Sequence, residues 1–242
     1  MSTTAVIRSE LIKIRSLRGT AVSLLVLIAL TAGFSWLTVG TSEVEDGNLD
    51  PLFHAFFGIA MGQIAAIAFG VLAVSSEYHG GALRISLAAV PRRGLFYGAK
   101  LAVIAGLTLA AGLLTGVATV LGDQALGGAD KPAWGDEGVL RACAGSGLYY
   151  ALLAVFAAGL TAVLRSGVGA LSIMIPLILT VSFVIGDSAG TFADYLPDRA
   201  GQMIFYRDPS TDFGPWTGLA ILAVWAAAAG AAGWWSVSRR DA

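Results

Sequence analysis

The sequence predicts an all-α membrane protein: six transmembrane helices, an N-terminal interfacial helix, a short cytoplasmic rod and an external re-entrant segment before the last span. Three observations predict it. Of 242 residues, 56% are hydrophobic and only 13% charged, about half the charged share of soluble domains. The apolar residues gather into six runs, each close to the roughly 20 residues that cross a hydrocarbon core as a helix. The gaps between those runs alternate in charge. Arg8, Lys13, Arg15 and Arg18 precede the first run, and Arg84, Arg92, Arg93 and Lys100 separate the second from the third. Arg165 follows the fourth, and Arg239 and Arg240 follow the sixth. The other gaps are acidic: Glu43, Glu45, Asp46 and Asp50; Asp123, Asp130, Asp136 and Glu137; then Asp187, Asp194, Asp198, Asp208 and Asp212. Basic residues near span ends stay in the cytoplasm. Both ends of the chain therefore read as cytoplasmic, in a single transmembrane domain over residues 1–242. Abundant Ala, Gly and Arg fit a GC-rich bacterial genome, which places the protein in a bacterial plasma membrane.

Residues Ser2–Arg18 read as an interfacial helix, because Ile7, Leu11 and Ile14 share a face at helical spacing. Arg8 and Arg15 flank that face on one side and Lys13 on the other, placed to snorkel to headgroups. Ile12 falls on the polar side, and the alternative is a basic flank that only fixes orientation. The first run, Ala21–Val39, is too long for the apolar core of a cleaved signal peptide. The remaining runs are Leu52–Ser75, Leu95–Leu121, Val139–Leu164, Val168–Gly186 and Trp216–Val237. All must be helical, since an open strand in lipid leaves backbone groups unpaired. Gly58–Gly62 and Gly112–Gly116 form GxxxG pairs that let helices approach closely.

Two gaps exceed a turn. The external gap Asp187–Pro215 holds Phe192, Tyr195, Leu196, Met203, Ile204, Phe205 and Tyr206, apolar content that suggests packing against the bundle, with breaks at Pro197 and Pro209. An aromatic anchor at headgroup level is the alternative. The cytoplasmic gap Ser76–Gly94 contains a possible rod, Ala82–Val90, set off by Gly80-Gly81 and stopped by Pro91. Leu83, Leu87 and Val90 share one face, and Arg84, Arg92 and Arg93 rim it. An ordinary basic loop is the other reading.

Chemistry-bearing residues are sparse. Ionisable groups are nearly absent from the spans, which disfavours a proton-coupled pump. Gln63 is the clearest polar residue deep in a span, either an interhelical hydrogen bond or a contact on a substrate path. Arg141 can snorkel outwards. His54 and His79 fall on opposite sides of the membrane, so they cannot share a metal. The single cysteine, Cys143, excludes a disulfide within the chain and reads as a packing residue. No HExxH, GxSxG or GxxxxGK[ST] sequence occurs, so neither an enzyme nor direct ATP binding is expected. The net charge of −1 gives no reason to expect nucleic acid as a partner.

The approach Gly62-Gln63 through Gly70-Val71-Leu72-Ala73 to Ser76-Glu77-Tyr78, then Leu83-Arg84, Pro91-Arg92-Arg93 and Lys100, resembles the region between spans two and three of ABC-2-type permeases. Tyr195-Leu196-Pro197 before span six resembles that family too, and the layout of the whole chain is similar. His79-Gly80-Gly81 departs from the family's usual basic-residue–Thr–Gly pattern. These permeases are membrane subunits of ATP-binding-cassette transporters, usually exporters. The resemblance implies that Glu77, Leu83, Arg84, Leu87, Arg92 and Arg93 contact a separate ATPase subunit, which carries ATP and Mg. Leu83 and Leu87 would fill its groove. It also implies a second permease copy, identical or related. Tyr195, Leu196 and Pro197 would cap the outer end of the path. An amphiphilic, peptidic or lipid-like substrate fits the absence of an ion path. The runner-up is a non-transport membrane module, such as an immunity or assembly factor.

Overall fold

The computed structural model describes residues 2–41, 50–126, 132–178, 190–209, 211 and 213–239. Glu43, Glu45, Asp46, Asp130, Asp187, Asp212 and Arg240 lie outside them, as does the second half of the expected fifth span. Among the described residues every regular element is helical. Five helices are long and apolar enough to cross a membrane: Arg18–Thr41, Ile59–Tyr78, Arg93–Ala125, Val139–Leu164 and Pro215–Arg239. The chain is thus a helical, membrane-embedded protein.

Helix α1 (Thr3–Ser16) opens on Ser2, whose hydroxyl accepts from the Ala5 amide. It buries Val6, Glu10 and Ile14, a stripe at intervals of four. Ile12, the residue on the polar side, is 60% exposed. Thr20 donates its hydroxyl to the Ile14 and Leu17 carbonyls, at 2.6 and 2.7 Å, and fastens the turn into α2 (Arg18–Thr41).

The second apolar run is broken, contrary to the continuous span expected over Leu52–Ser75. Asp50 caps a five-residue helix, α3 (Pro51–Ala55), by accepting from the Leu52 and Phe53 amides. Helix α4 (Ile59–Ser75) begins afresh after Gly58. At Gly58 and Gly62 the Thr31 and Ser35 side of α2 lies so close that no Cβ fits, so the first GxxxG pair is the α2–α4 contact. Gly112 and Gly116 do the same for α6 (Arg93–Ala125) against Ser146, Gly147 and Cys143 of α7 (Val139–Leu164). Ser146 donates to the Gly112 carbonyl across that contact at 2.8 Å. With little hydrophobic drive between helices in lipid, such close backbone packing and interhelical hydrogen bonds hold the bundle together.

A 3-10 turn, Ser76–Tyr78, leads from α4 to α5 (Ala82–Ala89). Gly80 and Gly81 adopt φ of 60° and 74°, a region costly for other residues. Val90, before Pro91, leaves helical geometry and ends α5. Helix α6, at 33 residues, is about 50 Å long and exceeds the roughly 30 Å hydrocarbon core. It also runs past the expected end, so Asp123 is buried within it rather than lying in a solvated gap.

Helix α7 ends at Arg165, which is left-handed at φ 53°. Helix α8 (Gly167–Pro176) starts where Gly167 meets Ser75, and buries Ala170 and Met174. After it the description resumes at a 3-10 stretch, Gly190–Tyr195, and a short α9 (Pro197–Gln202). Another 3-10 turn, Met203–Phe205, buries Ile204 and Phe205 against α7 and α10 (Pro215–Arg239).

The bundle has two ends. One gathers α1, the Ser76–Tyr78 turn, α5, the start of α6 and the close of α7 and α10. The other gathers α3, α9 and the start of α10. The 17 residues of α4, about 25 Å as a helix, separate the part of the chain holding His54 from His79.

Candidate functional site

At the basic end, four charges meet in a closed group. Lys100 of α6 is paired with Glu10 of α1 and, at 3.0 Å, with Glu77 of the 3-10 turn. Lys13 of α1 reaches the same two carboxylates, at 2.8 Å from Glu10 and 3.0 Å from Glu77. Ser86 of α5 donates to Glu77 at 2.8 Å and accepts from Lys13 at 3.0 Å. The Phe96 ring lies 5.4 Å from both ammonium groups, within cation–π range. Glu10, Lys100 and Glu77 are 1%, 3% and 5% exposed.

Charges this deep persist only when paired and fully hydrogen-bonded. Two carboxylates against two ammonium groups leave the group neutral. For Lys13, burial alone would lower the ammonium's pKa. Hydrogen bonds and charge from Glu10, then Glu77, outweigh that and hold it above its ordinary value. The quartet joins four segments, so α1, α5, the 3-10 turn and the base of α6 are fixed to one another.

This geometry also sets which way the side chains of the rod face. Helix α5 exists over nearly the expected residues, but its apolar face turns inward. Leu83 is 7% exposed and packs with Val6, Val90, Phe96 and Ala99, and Leu87 lies half-buried on that cluster. The apolar partners of this face within the chain are α1 and α6. Glu77 pairs with Lys13 and Lys100. Arg93 donates to the Val237 and Ser238 carbonyls at 3.0 and 3.1 Å, satisfying groups that a helix C-terminus leaves unpaired. Lys13, expected at headgroup level, is in the quartet. What α5 presents outwards is Arg84, Ile85, Ala88 and Ala89, followed by Arg92, with Ile85 73% exposed.

At the opposite end lies a cavity of about 480 Å³ lined by residues of α3, α4 and α9 and by Ile178. Gln63 lines it and is 3% exposed. The buried Tyr149 hydroxyl donates to Gln63 Oε1 at 2.6 Å, and Gln202 Nε2 donates to the same Oε1 and to the Tyr149 oxygen, each at 3.3 Å. Phe53 stacks on Tyr206, with centroids 4.3 Å apart, and meets Phe57 edge-on at 6.3 Å. Asp50 Oδ2 accepts from the Arg207 and Asp208 amides, tying the loop above the cavity to α3. Burial first, then the Asp50 charge, holds the Tyr206 phenol above its ordinary pKa, so it faces the cavity as a neutral group.

Tyr195, Leu196 and Pro197 stand beside this cavity without lining it. The Tyr195 carbonyl accepts from Trp225 Nε1 at 3.1 Å and its ring meets Phe213. Leu196 lies by Ile221 and Val224 of α10, and Pro197 is buried at the start of α9. Their neighbours Asp194, Asp198, Arg199 and Gln202 line the cavity instead. The side chain of Phe192 lies outside the description.

Arg141, expected to snorkel outwards, donates to the Tyr206 carbonyl. His79 Nδ1 lies 2.9 Å from the Ser75 carbonyl. Cys143 is buried against Gly116. No cluster of three metal-ligating side chains occurs among the described residues. Neither a protein-family model nor a curated protein matches the chain.

Proposed function

We propose that this chain is the transmembrane permease subunit of an ATP-binding-cassette exporter, with six spans and both ends in the cytoplasm. The observation that carries the reading is the outer face of α5. Ile85 is 73% exposed on a short helix flanked by the exposed Arg84 and Arg92, at the bundle end where the lysines and arginines gather. The buried quartet holds that helix on a stiff base, and a stiff base passes a rigid-body displacement into the bundle where a flexible loop would absorb it.

The path of the chain supports a sixth span. Helix α8 starts beside Ser75 at the basic end, and α10 starts against Ala200 of α9 at the other. Ile178, just past the end of α8, already lines the cavity at that other end. In this reading the partner ATPase seats Ile85, Ala88 and Ala89 in an apolar groove, with Arg84 and Arg92 on its rim. ATP and Mg bind on that subunit, and a second permease copy completes the path.

The test is co-purification with a Walker-type ATPase encoded beside this gene, together with ATP turnover in liposomes. Changing Ile85 to Asp would bury an unpaired charge in the groove, costing several kcal/mol, while leaving this chain's own packing intact. It should abolish co-purification. An unchanged complex removes α5 as the contact, and transport with no ATPase present removes the exporter reading. Leu87→Asp is the control for fold, because it strikes the chain's own cluster and should loosen α5 whether or not a partner binds.

A further inference from the structure

We infer that the cavity beside Gln63 is a binding site for an aromatic organic cation. Its volume, about 480 Å³, falls within the roughly 300–1,000 Å³ of small-molecule sites. Its walls are aromatic and soft: Phe53, Phe57 and Tyr206, with Met61 and Met203. Phe57 is 41% exposed, which leaves ring surface for a planar guest. Such faces attract cations through their π-electrons.

Charge agrees with that attraction. Among the described residues, the carboxylate of Asp194 lines the cavity beside the aromatic rings. Asp194 is half-buried, placed to meet an ammonium without first being released from the core. An anionic guest, such as a phosphate headgroup, would face the Asp194 carboxylate and the negative faces of the rings together.

The floor adds a polar requirement. Gln63 Oε1 is already taken by Tyr149 and Gln202. Among the described residues, Gln63 Nε2 makes no hydrogen bond, although the residue is only 3% exposed. Nε2 is reached from the cavity that Gln63 lines, so it can donate to a guest there. A guest with a carbonyl or ether oxygen beside its ring system would satisfy it. The expected guest is therefore a planar aromatic body with one positive charge and one acceptor. Its binding is independent of transport. Its role as the exported substrate rests on the permease reading.

The probe is rhodamine 123, a cationic xanthene dye, against fluorescein, which carries the same ring system with negative charge. Fluorescence polarisation is read on the purified chain in lipid nanodiscs. Rhodamine 123 should bind saturably and fluorescein at least about tenfold more weakly. Asp194→Asn should weaken rhodamine 123 by about two- to fivefold, the scale of one partly exposed charge pair. Met61→Trp should fill the cavity and abolish binding of either dye, which separates the site from dye dissolved in lipid. Equal binding of the two dyes, no saturable binding, or indifference to both substitutions overturns the proposal. If the ATPase co-purifies and no dye binds, the site falls and the exporter reading stands. If the dye binds with this charge preference and no ATPase associates, the exporter reading falls and the site stands.

Discussion

The two ends of this bundle hold polar side chains at similar depth and use them in opposite ways. At the basic end, Glu10, Glu77, Lys13, Lys100 and Ser86 balance one another's charge and bond to one another. At the cavity end, Gln63, Tyr149 and Gln202 form a chain that closes on Gln63 Oε1 and leaves Nε2 without a partner among the described residues. A saturated polar network rigidifies its surroundings. An unsaturated one beside open volume has capacity left for a guest. The difference teaches that burial of polar groups is not one signal: their spare valence decides whether a site holds the protein together or holds something else.

The comparison breaks most directly at Lys100. Replacing it with Met leaves Glu10 and Glu77 facing each other with only Lys13 between them. Removing one partner of a buried ionic group costs about 3–5 kcal/mol. Thermal unfolding in detergent should show a large loss of stability. The double variant Glu10→Gln/Lys100→Met keeps the Lys13–Glu77 pair neutral and should recover part of it, a non-additivity expected of residues in contact. An additive double variant, or a silent Lys100→Met, would mean that the quartet is not the rigid base described.

These two regions were not equally legible in the sequence. The limits of α5 could be read from Gly80-Gly81 and Pro91, and α7 occupies the same residues, Val139–Leu164, as its apolar run. Periodicity marked Leu83, Leu87 and Val90 as a buried face, but periodicity does not say against what. The face met α1 and α6 of the same chain. Glu10 gave no signal, because a lone carboxylate in a basic helix reads as solvated. Its partner Lys100 is 90 positions away, and Lys13 is 64 from Glu77. Nothing local encodes such pairings. Lys100 itself read as an orienting charge, since a lysine seven residues into a helix looks able to reach water. Gln63 stood out by polarity alone. Tyr149 and Gln202 did not, because nothing local shows that a tyrosine inside one apolar run and a glutamine in a distant loop meet.

A smaller effect is expected at the cavity end. Tyr149→Phe removes one hydroxyl and its bond to Gln63. A buried neutral hydrogen bond contributes about 0.5–1.5 kcal/mol net, so stability should fall by less than in Lys100→Met. Freed from Tyr149, the Gln63 amide can turn, and rhodamine 123 affinity should change severalfold while the fold persists. A stability loss as large as that of Lys100→Met would show the outer polar chain to be as structural as the quartet, and the contrast between the ends would vanish.

The smallest effect lies inside the quartet and sharpens the comparison from within. Lys13 and Lys100 contact the same two carboxylates, but the Lys13 side chain is 38% exposed and that of Lys100 only 3%. Water competes for Lys13, so its pairs resemble surface ion pairs, worth about 0–1 kcal/mol. Lys13→Gln should therefore cost under about 1 kcal/mol, and its amide can still donate one hydrogen bond towards Glu10 or Glu77. Salt separates the two lysines further. Mobile ions screen exposed pairs and barely reach buried ones. Raising ionic strength in the unfolding assay should shrink the difference between wild type and Lys13→Gln, and leave the Lys100→Met difference in place. If both differences shrink alike, the quartet is open to solvent. The base beneath α5 would then be a hydrated cluster, too soft to carry a displacement from α5 into α4 and α6.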